Sequence, residues 1–163
     1  MTEEKTEVER YLDEKGVFYE VILFPNVVEE HMEELPSELP VARGIIAKTL
    51  VLKGNKTGPV IAVLPLDARL DYKKTAKATQ NRKIGLPPME FVLEYTGYVH
   101  GANTPFGISL HHPEYPLLID PAILSLEEVV VSSGVLGRSV KVKVADLIAL
   151  TAPQIVDLQK IES

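Results

Sequence analysis

Apolar residues recur along the chain with two different spacings, one typical of β-strands and one typical of α-helices. Residues 44–53 (G-I-I-A-K-T-L-V-L-K) and 60–64 are short apolar runs on either side of the turn-forming residues 54–58. Runs of this length, bounded by turn residues, predict a buried β-hairpin. Residues 140–144 alternate valine with lysine, which predicts a strand with one wet face. Further strands are predicted over residues 17–24, 83–86, 117–120 and 127–131.

Helical spacing accounts for most of the remaining chain. A capping box at Thr6-Glu7-Val8-Glu9 predicts a first helix that ends near Gly16. Asp71 is a good N-cap for a second helix over residues 72–80. Three more helical segments are predicted over residues 89–96, 145–150 and 151–161, the last capped by Thr151 with Pro153 in its first turn. The acidic run 27–38 predicts one or two short helices with a solvated face. This mixture of elements predicts an α/β (α+β) fold.

Composition narrows the class of protein. At 163 residues the chain is expected to form one domain over residues 1–163. It contains no cysteine, so disulfides and thiolate chemistry are excluded. No apolar run reaches a membrane span, and the polar N-terminus is unlike a signal peptide, so a cytoplasmic location is expected. A net charge of −6 weighs against indiscriminate nucleic-acid binding, although a local basic patch remains compatible with it.

Lys48 interrupts the first apolar strand. Because side chains alternate along a strand, Lys48 shares a face with Ile46, Leu50 and Leu52. An ammonium group in such surroundings is costly unless a partner or an open cavity receives it. Two interpretations follow from the pattern. In the first, the amine reaches the sheet edge or forms a structural ion pair. In the second, it projects into a ligand cleft.

The second helix carries the most basic window of the chain. Lys73, Lys74 and Lys77 lie on it, and Arg82 and Lys83 follow. A solvated lysine face explains such a pattern. The alternative is contact with a phosphate backbone, which positions a nucleic acid without recognising its sequence.

Two glycine-bearing segments are candidates for ligand contact. Residues 97–107 (G-Y-V-H-G-A-N-T-P-F-G) predict a tight loop that is either an ordinary connection or a place where backbone approaches a ligand. His100 within it is either a surface or packing residue or an aid to proton transfer. Residues 132–137 predict a second glycine-bearing turn. The sequence lacks a P-loop, a dinucleotide fingerprint, H-E-x-x-H and G-x-S-x-G. The adjacent His111 and His112 are a poor basis for a metal site.

Four of these segments together resemble the YbaK/ProX family of aminoacyl-tRNA deacylases, the relatives of an editing domain inserted in some prolyl-tRNA synthetases. Residues 47–52 resemble its K-T-L strand, and residues 70–76 its l-D-x-k-k-x-a helix. Residues 96–107 resemble its T-G-y-x-x-G-x-x-x-P-f-G loop, and residues 131–137 its s-G-G-x-x-G turn. The four motifs keep the family's order over roughly residues 10–150.

The resemblance implies a mixed α/β fold with a barrel-like central sheet and surrounding helices. It implies a free-standing trans-editing hydrolase that cleaves mischarged aminoacyl-tRNA without a metal or cofactor. The accepted amino acid is expected to be small, such as Cys, Ala or Ser, on tRNA-Pro or a related tRNA. The expected partners are the acceptor end of the tRNA and a synthetase, with no DNA and no membrane.

The resemblance also assigns residues to roles. Lys48 would act by electrostatics and positioning, and Gly101 would present backbone to the ester. The motifs imply a set of substrate-binding residues, and His100 is added because it lies within the same loop. The full set is Thr49, His100, Pro105, Gly107, Ser132 and Gly134. The basic charge pattern of the second helix, rather than the resemblance, makes Lys73, Lys74 and Lys77 the predicted tRNA contacts.

Two departures from the family pattern keep a second function open. Ser133 replaces the first glycine of the turn, and Arg138-Ser139 stands where some relatives have an acidic residue. The alternative is a catalytically silent module of the same fold that binds a tRNA or a synthetase. A general small-ester or amide hydrolase is a third option.

Overall fold

The computed structural model describes residues 4–24 and 39–161. The helices are α1 (Glu7–Glu14), α2 (Tyr72–Thr79), α3 (Met89–Thr96), α4 (Pro105–His111), α5 (Pro121–Leu124) and α6 (Val144–Thr151), with a 3₁₀ turn at Arg43–Ile45. The strands are β1 (Tyr19–Leu23), β2 (Ala47–Gly54), β3 (Gly58–Pro65), β4 (Ile84–Gly85), β5 (Leu117–Ile119), β6 (Glu128–Val135), β7 (Arg138–Lys143) and β8 (Gln154–Ile155). The acidic run 27–38 lies outside the described residues.

The strands form two sheets, in the orders β1-β7-β6 and β4-β2-β3-β5-β8. The predicted hairpin of β2 and β3 is confirmed as an antiparallel pair, and β5 and β8 add to it in parallel. A parallel bridge between Ile46 and Val130 links the two sheets. The mixed α/β fold is therefore confirmed. The central sheet is barrel-like only in part, because among the described residues the strands do not close into a complete barrel.

Local capping explains where the first two helices begin. The Thr6 hydroxyl accepts from the Glu9 backbone N–H at 3.1 Å, and Asp71 Oδ1 accepts from the Lys74 N–H at 3.0 Å. Each bond satisfies a donor that the first turn of a helix leaves unpaired. Both predicted helix starts are confirmed.

The core lies between the sheets and the helices that cover them. Phe106 of α4 belongs to a cluster with Val63 of β3, Val131 of β6 and Leu147 of α6. A second cluster joins β2 and β3 to α2 and the C-terminal segment, where Leu158 is fully buried. These clusters fix α2 on one face of β2 and α4 on the other.

The predicted helix over residues 151–161 is wrong. Thr151 ends α6, where its hydroxyl donates to the Leu147 carbonyl, and Pro153 follows that end. The segment beyond it is extended because its backbone finds tertiary partners. The Val156 N–H donates to the Ile119 carbonyl, and the Leu158 N–H donates to Asp120.

Two loop boundaries also need correction. Residues 105–107, predicted as loop, form the first turn of α4, because Thr104 accepts from the Gly107 N–H and Pro105 suits the first helical position. Residues 132–135, predicted as turn, belong to β6, which has a register shift between Ser132 and Val135. Among the described residues, no helix is long and apolar enough to cross a membrane.

Candidate active site

Lys48 lines an open cavity of about 690 Å³ between β2 and α2. Leu50 shares its face of the strand and lines the same cavity, as alternation predicts. The loop after β3 and the start of α2 form much of the opposite side, and Leu86 and Lys160 complete it. The amine of Lys48 therefore stands at the boundary between an aliphatic surface and an accessible space.

Positive charge predominates around this cavity. Its cationic lining residues are Lys48, Arg69, Lys73 and Lys160, and its carboxylates are Asp67 and Asp71. Both carboxylates have protein partners, since Arg43 binds Asp67 through two nitrogens at 2.7–2.9 Å and Asp71 caps α2. The hydrogen bonds from Arg43 hold the pKa of Asp67 below its ordinary value, and Lys48 adds a smaller attraction. The cavity is thus suited to a ligand that carries anionic groups beside apolar ones.

The three lysines of α2 have different surroundings. Lys73 lines the cavity, and Lys77 is exposed in the last turn of the helix. Lys74 donates to Asp157 and to the Gln159 carbonyl, both at 2.8 Å. Lys74 therefore ties α2 to the C-terminal segment, whereas Lys73 and Lys77 face outward.

The glycine loop, defined here as residues 97–104, leads into α4 and is anchored by close packing. A Cβ at Gly107 would collide with the hydroxyl of Tyr98 and the methyl of Thr104. Gly134 of β6 faces the same tyrosine, with a Cβ position only 3.0 Å from its ring. Tyr98 thus fills the space that the two glycines leave, and burial, with a smaller contribution from Glu7, raises the pKa of its hydroxyl.

Ser132 joins the glycine loop to β6. Its hydroxyl donates to the Ala102 carbonyl at 2.9 Å and accepts from the Gly134 N–H at 3.1 Å. Gly134 has a φ of +99°, a conformation that favours glycine. Ser132 and Gly134 therefore form one wall with the loop, next to the partly exposed His100 and Gly101.

The bridge between the sheets relates Lys48 to this wall. Ile46 pairs with Val130 in parallel, so Lys48 and Ser132 each follow two residues later on adjacent strands. Thr49 lies on the other face of β2, between Ala47 and Val51, whose clusters include residues of α4. The residues that line the Lys48 cavity include none of the glycine loop and not Thr49. The structure thus places Lys48 and Lys73 in one cavity. It groups Gly107 and Gly134 around Tyr98, and Ser132 is bonded to Gly134 and to the glycine loop.

The adjacent histidines have separate partners. His111 Nε2 lies 2.7 Å from Glu7 Oε1, and the His112 ring stacks on Tyr115 with centroids 4.5 Å apart. Within the residues that the structure describes, no group of three or more His, Asp or Glu side chains could hold a metal ion.

The family model of the aminoacyl-tRNA editing domain matches residues 28–150. The chain belongs to this family. Two curated relatives from bacteria agree with the match. EbsC of Enterococcus faecalis, described as a Cys-tRNA(Pro)/Cys-tRNA(Cys) deacylase, is 33% identical over 159 residues, which cover 96% of this chain and 94% of EbsC. The Ser/Thr-tRNA deacylase ProXp-y of Escherichia coli is 32% identical over 123 residues, which cover 73% of this chain and 72% of that one.

Solved structures of this editing-domain fold superpose on most of the chain. One is described as a trans-editing enzyme for prolyl-tRNA synthetase. It has a TM-score of 0.75 and 25% identity, with 94% of this chain and 95% of that chain covered. The hypothetical protein APE2540 has a TM-score of 0.80 and 23% identity, with 94% and 99% covered, and shows the fold alone.

Three residues near the editing-domain motifs were missed by sequence reasoning. Glu9 and Arg138 form a buried ion pair behind Ser133, although their positions are 129 residues apart. Asn103 is 4% exposed, and its side-chain oxygen has no hydrogen-bond partner in the described structure. The sequence offered two signals, the departures at Ser133 and Arg138 and the capping box that contains Glu9, but nothing in it pointed to a contact between these residues.

Proposed function

We propose that this chain is an aminoacyl-tRNA deacylase that acts in trans, hydrolysing the ester between a mischarged amino acid and the 3′ end of its tRNA. Family membership supports the substrate class. The observation that carries the proposal is the placement of Lys48, which lines an accessible cavity whose surplus charge is positive. A tRNA 3′ end brings anionic phosphates and planar bases, and the mixture of lysine, arginine, leucine and tyrosine around the cavity suits both.

The reaction requires little beyond orientation and charge. Water attacks the ester carbonyl, a tetrahedral oxyanion forms, and the bond to the ribose oxygen breaks to release the amino acid and the tRNA hydroxyl. A preorganised donor at such an oxyanion contributes about 3–4 kcal/mol to lowering the barrier. Lys48 is proposed to stabilise that negative charge and to position the ester. An ester offers no ketone or aldehyde, so a Schiff base with Lys48 is not required.

The glycine loop and the Ser132 wall are proposed to hold the aminoacyl group. Gly101 would present backbone to the ester, while Gly134 and Tyr98 limit the space available. One methylene group changes binding by only about 1–3 kcal/mol, so rejection of larger amino acids must rest mainly on steric exclusion. Small side chains such as those of Cys, Ser and Ala are therefore the proposed substrates, on tRNA-Pro or a related tRNA.

Asn103 is proposed to contact the same aminoacyl group. A buried acceptor without a donor costs about 1–3 kcal/mol, and such groups in folded proteins call for an explanation. Its neighbours hold it in place, because the Ala102 carbonyl is bound by Ser132 and Thr104 caps α4. The Asn103 oxygen could accept from a donor on the bound aminoacyl group, either the α-ammonium or a side-chain hydroxyl or thiol.

A silent binding module is disfavoured by one observation. The departures that suggested it, Ser133 and Arg138, both bind the carboxylate of Glu9. They are accounted for as parts of one packed network, without loss of the cavity or of Lys48. A synthetase that produces the mischarged tRNA remains the proposed partner in the cell.

The test is a deacylation assay over a panel of mischarged tRNAs. We expect cleavage of at least one small aminoacyl group by the wild type and a loss of about 100-fold or more in Lys48→Ala. Lys53→Ala is the matched control, since Lys53 lies on the same strand but on the opposite face. Equal activity in wild type and Lys48→Ala would remove the role of Lys48. Tight tRNA binding without any cleavage would establish the silent module instead.

A further inference from the structure

We propose that the buried ion pair between Glu9 and Arg138 positions the Ser132 wall for catalysis. This inference rests on the deacylase function proposed above. It assigns Glu9, Arg138 and Ser133 as positioning residues, which act on the site through Ser132 and Gly134. It also gives a physical reason for the two departures from the family pattern.

The pair is bidentate, with an enclosed carboxylate and a guanidinium side chain that is 14% exposed. Arg138 donates from Nε to Glu9 Oε2 at 2.7 Å and from Nη2 to Glu9 Oε1 at 2.8 Å, and the Glu9 side chain is 1% exposed. Parallel hydrogen bonds of this kind fix the relative geometry of the two groups as well as stabilising them. The pair therefore holds α1 against the start of β7 in one arrangement.

Ser133 connects the pair to the wall. Its hydroxyl donates to Glu9 Oε2 at 3.1 Å and lies 2.5 Å from the Thr6 hydroxyl at the N-cap of α1. Ser132 and Gly134 are its immediate neighbours in the chain. A shift of α1 or of Glu9 would therefore move the residue that lies between the two wall residues.

The wall needs such a support because regular strand pairing is interrupted there. The ladder between β6 and β7 shifts register between Ser132 and Val135, and Gly134 has a left-handed conformation. Backbone bonds to β7 thus do not fix this stretch as they fix residues 128–132. The bond from Ser133 to Glu9 supplies the missing constraint from the side of α1.

Stability alone is a weak reason for a buried pair of this kind. Removing two charges from water costs several kcal/mol per ion, and apolar replacements of similar volume are often as stable or more so. A bidentate pair does, however, specify one position and orientation, which a catalytic wall requires. Misplacement of a site by about 1 Å can reduce a rate on the order of 100-fold.

The first part of the test compares Glu9→Gln with Val8→Ala. Glutamine keeps the shape of Glu9 and removes its charge, whereas Val8→Ala weakens the packing of the same helix without touching the pair. Deacylation is measured at a temperature where every variant is folded, and melting temperatures are recorded. We expect Glu9→Gln to lower kcat by about tenfold or more, with KM within twofold, whereas Val8→Ala lowers the melting temperature and leaves kcat unchanged.

Ser133→Ala tests the link itself. It leaves the ion pair intact and removes the bond from the wall, so kcat is expected to fall toward the value of Glu9→Gln with a smaller change in melting temperature. An unchanged kcat in Glu9→Gln, or a loss of kcat that follows melting temperature equally in Glu9→Gln and Val8→Ala, would overturn the proposal.

A nuclear magnetic resonance measurement separates this proposal from the proposed function. The amide signals of Gly101, Ala102 and Gly134 are expected to shift in Glu9→Gln but not in Val8→Ala. If the wild type cleaves no aminoacyl-tRNA, the deacylase function fails, and the amide shifts still decide whether the pair positions the wall. If the wild type is active and neither kcat nor these signals change, the positioning role alone is wrong.

Discussion

The hydroxyl of Ser132 donates to the carbonyl oxygen of Ala102 at 2.9 Å, across thirty positions of the chain. This bond joins the glycine loop to β6, and the hydroxyl oxygen of Ser132 also accepts from the Gly134 N–H. The side chain of Ser132 therefore holds both the glycine loop and Gly134 in position next to the strand that carries Lys48.

Replacing Ser132 with alanine removes both bonds while leaving the strand intact. We expect the free energy of unfolding to fall by about 1 kcal/mol, because a typical internal hydrogen bond contributes that much. Because the loop also loses its anchor, kcat for deacylation is expected to fall by about 10- to 100-fold. Ser139→Ala is the matched control, since Ser139 lies opposite Ser132 on β7. Equal effects of the two changes would contradict the role of Ser132.

A methyl group at Gly107 tests the packing around Tyr98. Gly107→Ala is expected to destabilise the protein by about 1–3 kcal/mol, as overpacking of a filled core does. Tyr98→Phe removes the nearest atom and should recover part of that loss in a double-mutant cycle. Chemical denaturation measures all four proteins, and Gly44→Ala, where a Cβ meets nothing within 4 Å, is the control. Additive effects of the two changes would contradict the proposed contact.

The lysines of α2 are expected to separate into two classes. Lys73→Gln and Lys77→Gln should each reduce the slope of log affinity against log salt concentration for a tRNA by about 0.7–0.9, the change expected for one lost phosphate contact. Lys74→Gln should change the slope less and lower the melting temperature more, because Lys74 binds Asp157 and Gln159. Filter binding over a salt series measures the slopes. Three identical slopes equal to that of the wild type would exclude α2 as the contact surface.

The loss of stability at acidic pH should depend on the ion pair between Glu9 and Arg138. The hydrogen bonds from Arg138 hold the pKa of Glu9 below its ordinary value of about 4.3. A carboxyl with a lowered pKa in the folded state binds fewer protons there than when unfolded, so its stabilisation is complete above the unfolded pKa and is lost as pH falls through the folded one. Stability should therefore decline below about pH 4.3, and Glu9→Gln should show a shallower decline. Urea midpoints between pH 2 and pH 7 measure this, and parallel curves for the two proteins would contradict it.

The unpaired oxygen of Asn103 predicts an effect on substrate binding. Asn103→Leu keeps a similar size and removes the acceptor, so KM is expected to rise by about tenfold, the equivalent of one hydrogen bond. If the partner is the α-ammonium, the loss should be equal for Ala-tRNA and Ser-tRNA. A loss confined to Ser-tRNA would identify the side-chain hydroxyl. An unchanged KM for both substrates would remove Asn103 from the site.

Short-range sequence patterns were sufficient to predict much of the fold. The hairpin of β2 and β3 follows from two apolar runs around a turn, and α1 and α2 follow from caps at Thr6 and Asp71. Each of these elements is specified by residues that are close to one another in the chain. The mixed α/β class could therefore be anticipated, whereas the sequence left open whether Lys48 reaches the sheet edge, forms an ion pair or faces a cleft.

Tertiary partners decided the features that were missed. Residues 152–161 have helical spacing, but their backbone pairs with β5 and Asp120, so they are extended. Glycine at 107 looked like loop sequence, although it permits α4 to pack on Tyr98. The Glu9–Arg138 pair joins opposite ends of the chain, and no local pattern could indicate it.

Asp120 has a consequence for how this molecule could be redesigned. Its buried carboxylate accepts from Ala122, Leu158 and Gln159, so it holds the last extended segment that carries Lys160 to the edge of the cavity. The charge at position 160 can thus be varied without altering any strand of the scaffold. Substitutions at position 160 therefore offer a way to change which RNA ends bind without disturbing the fold.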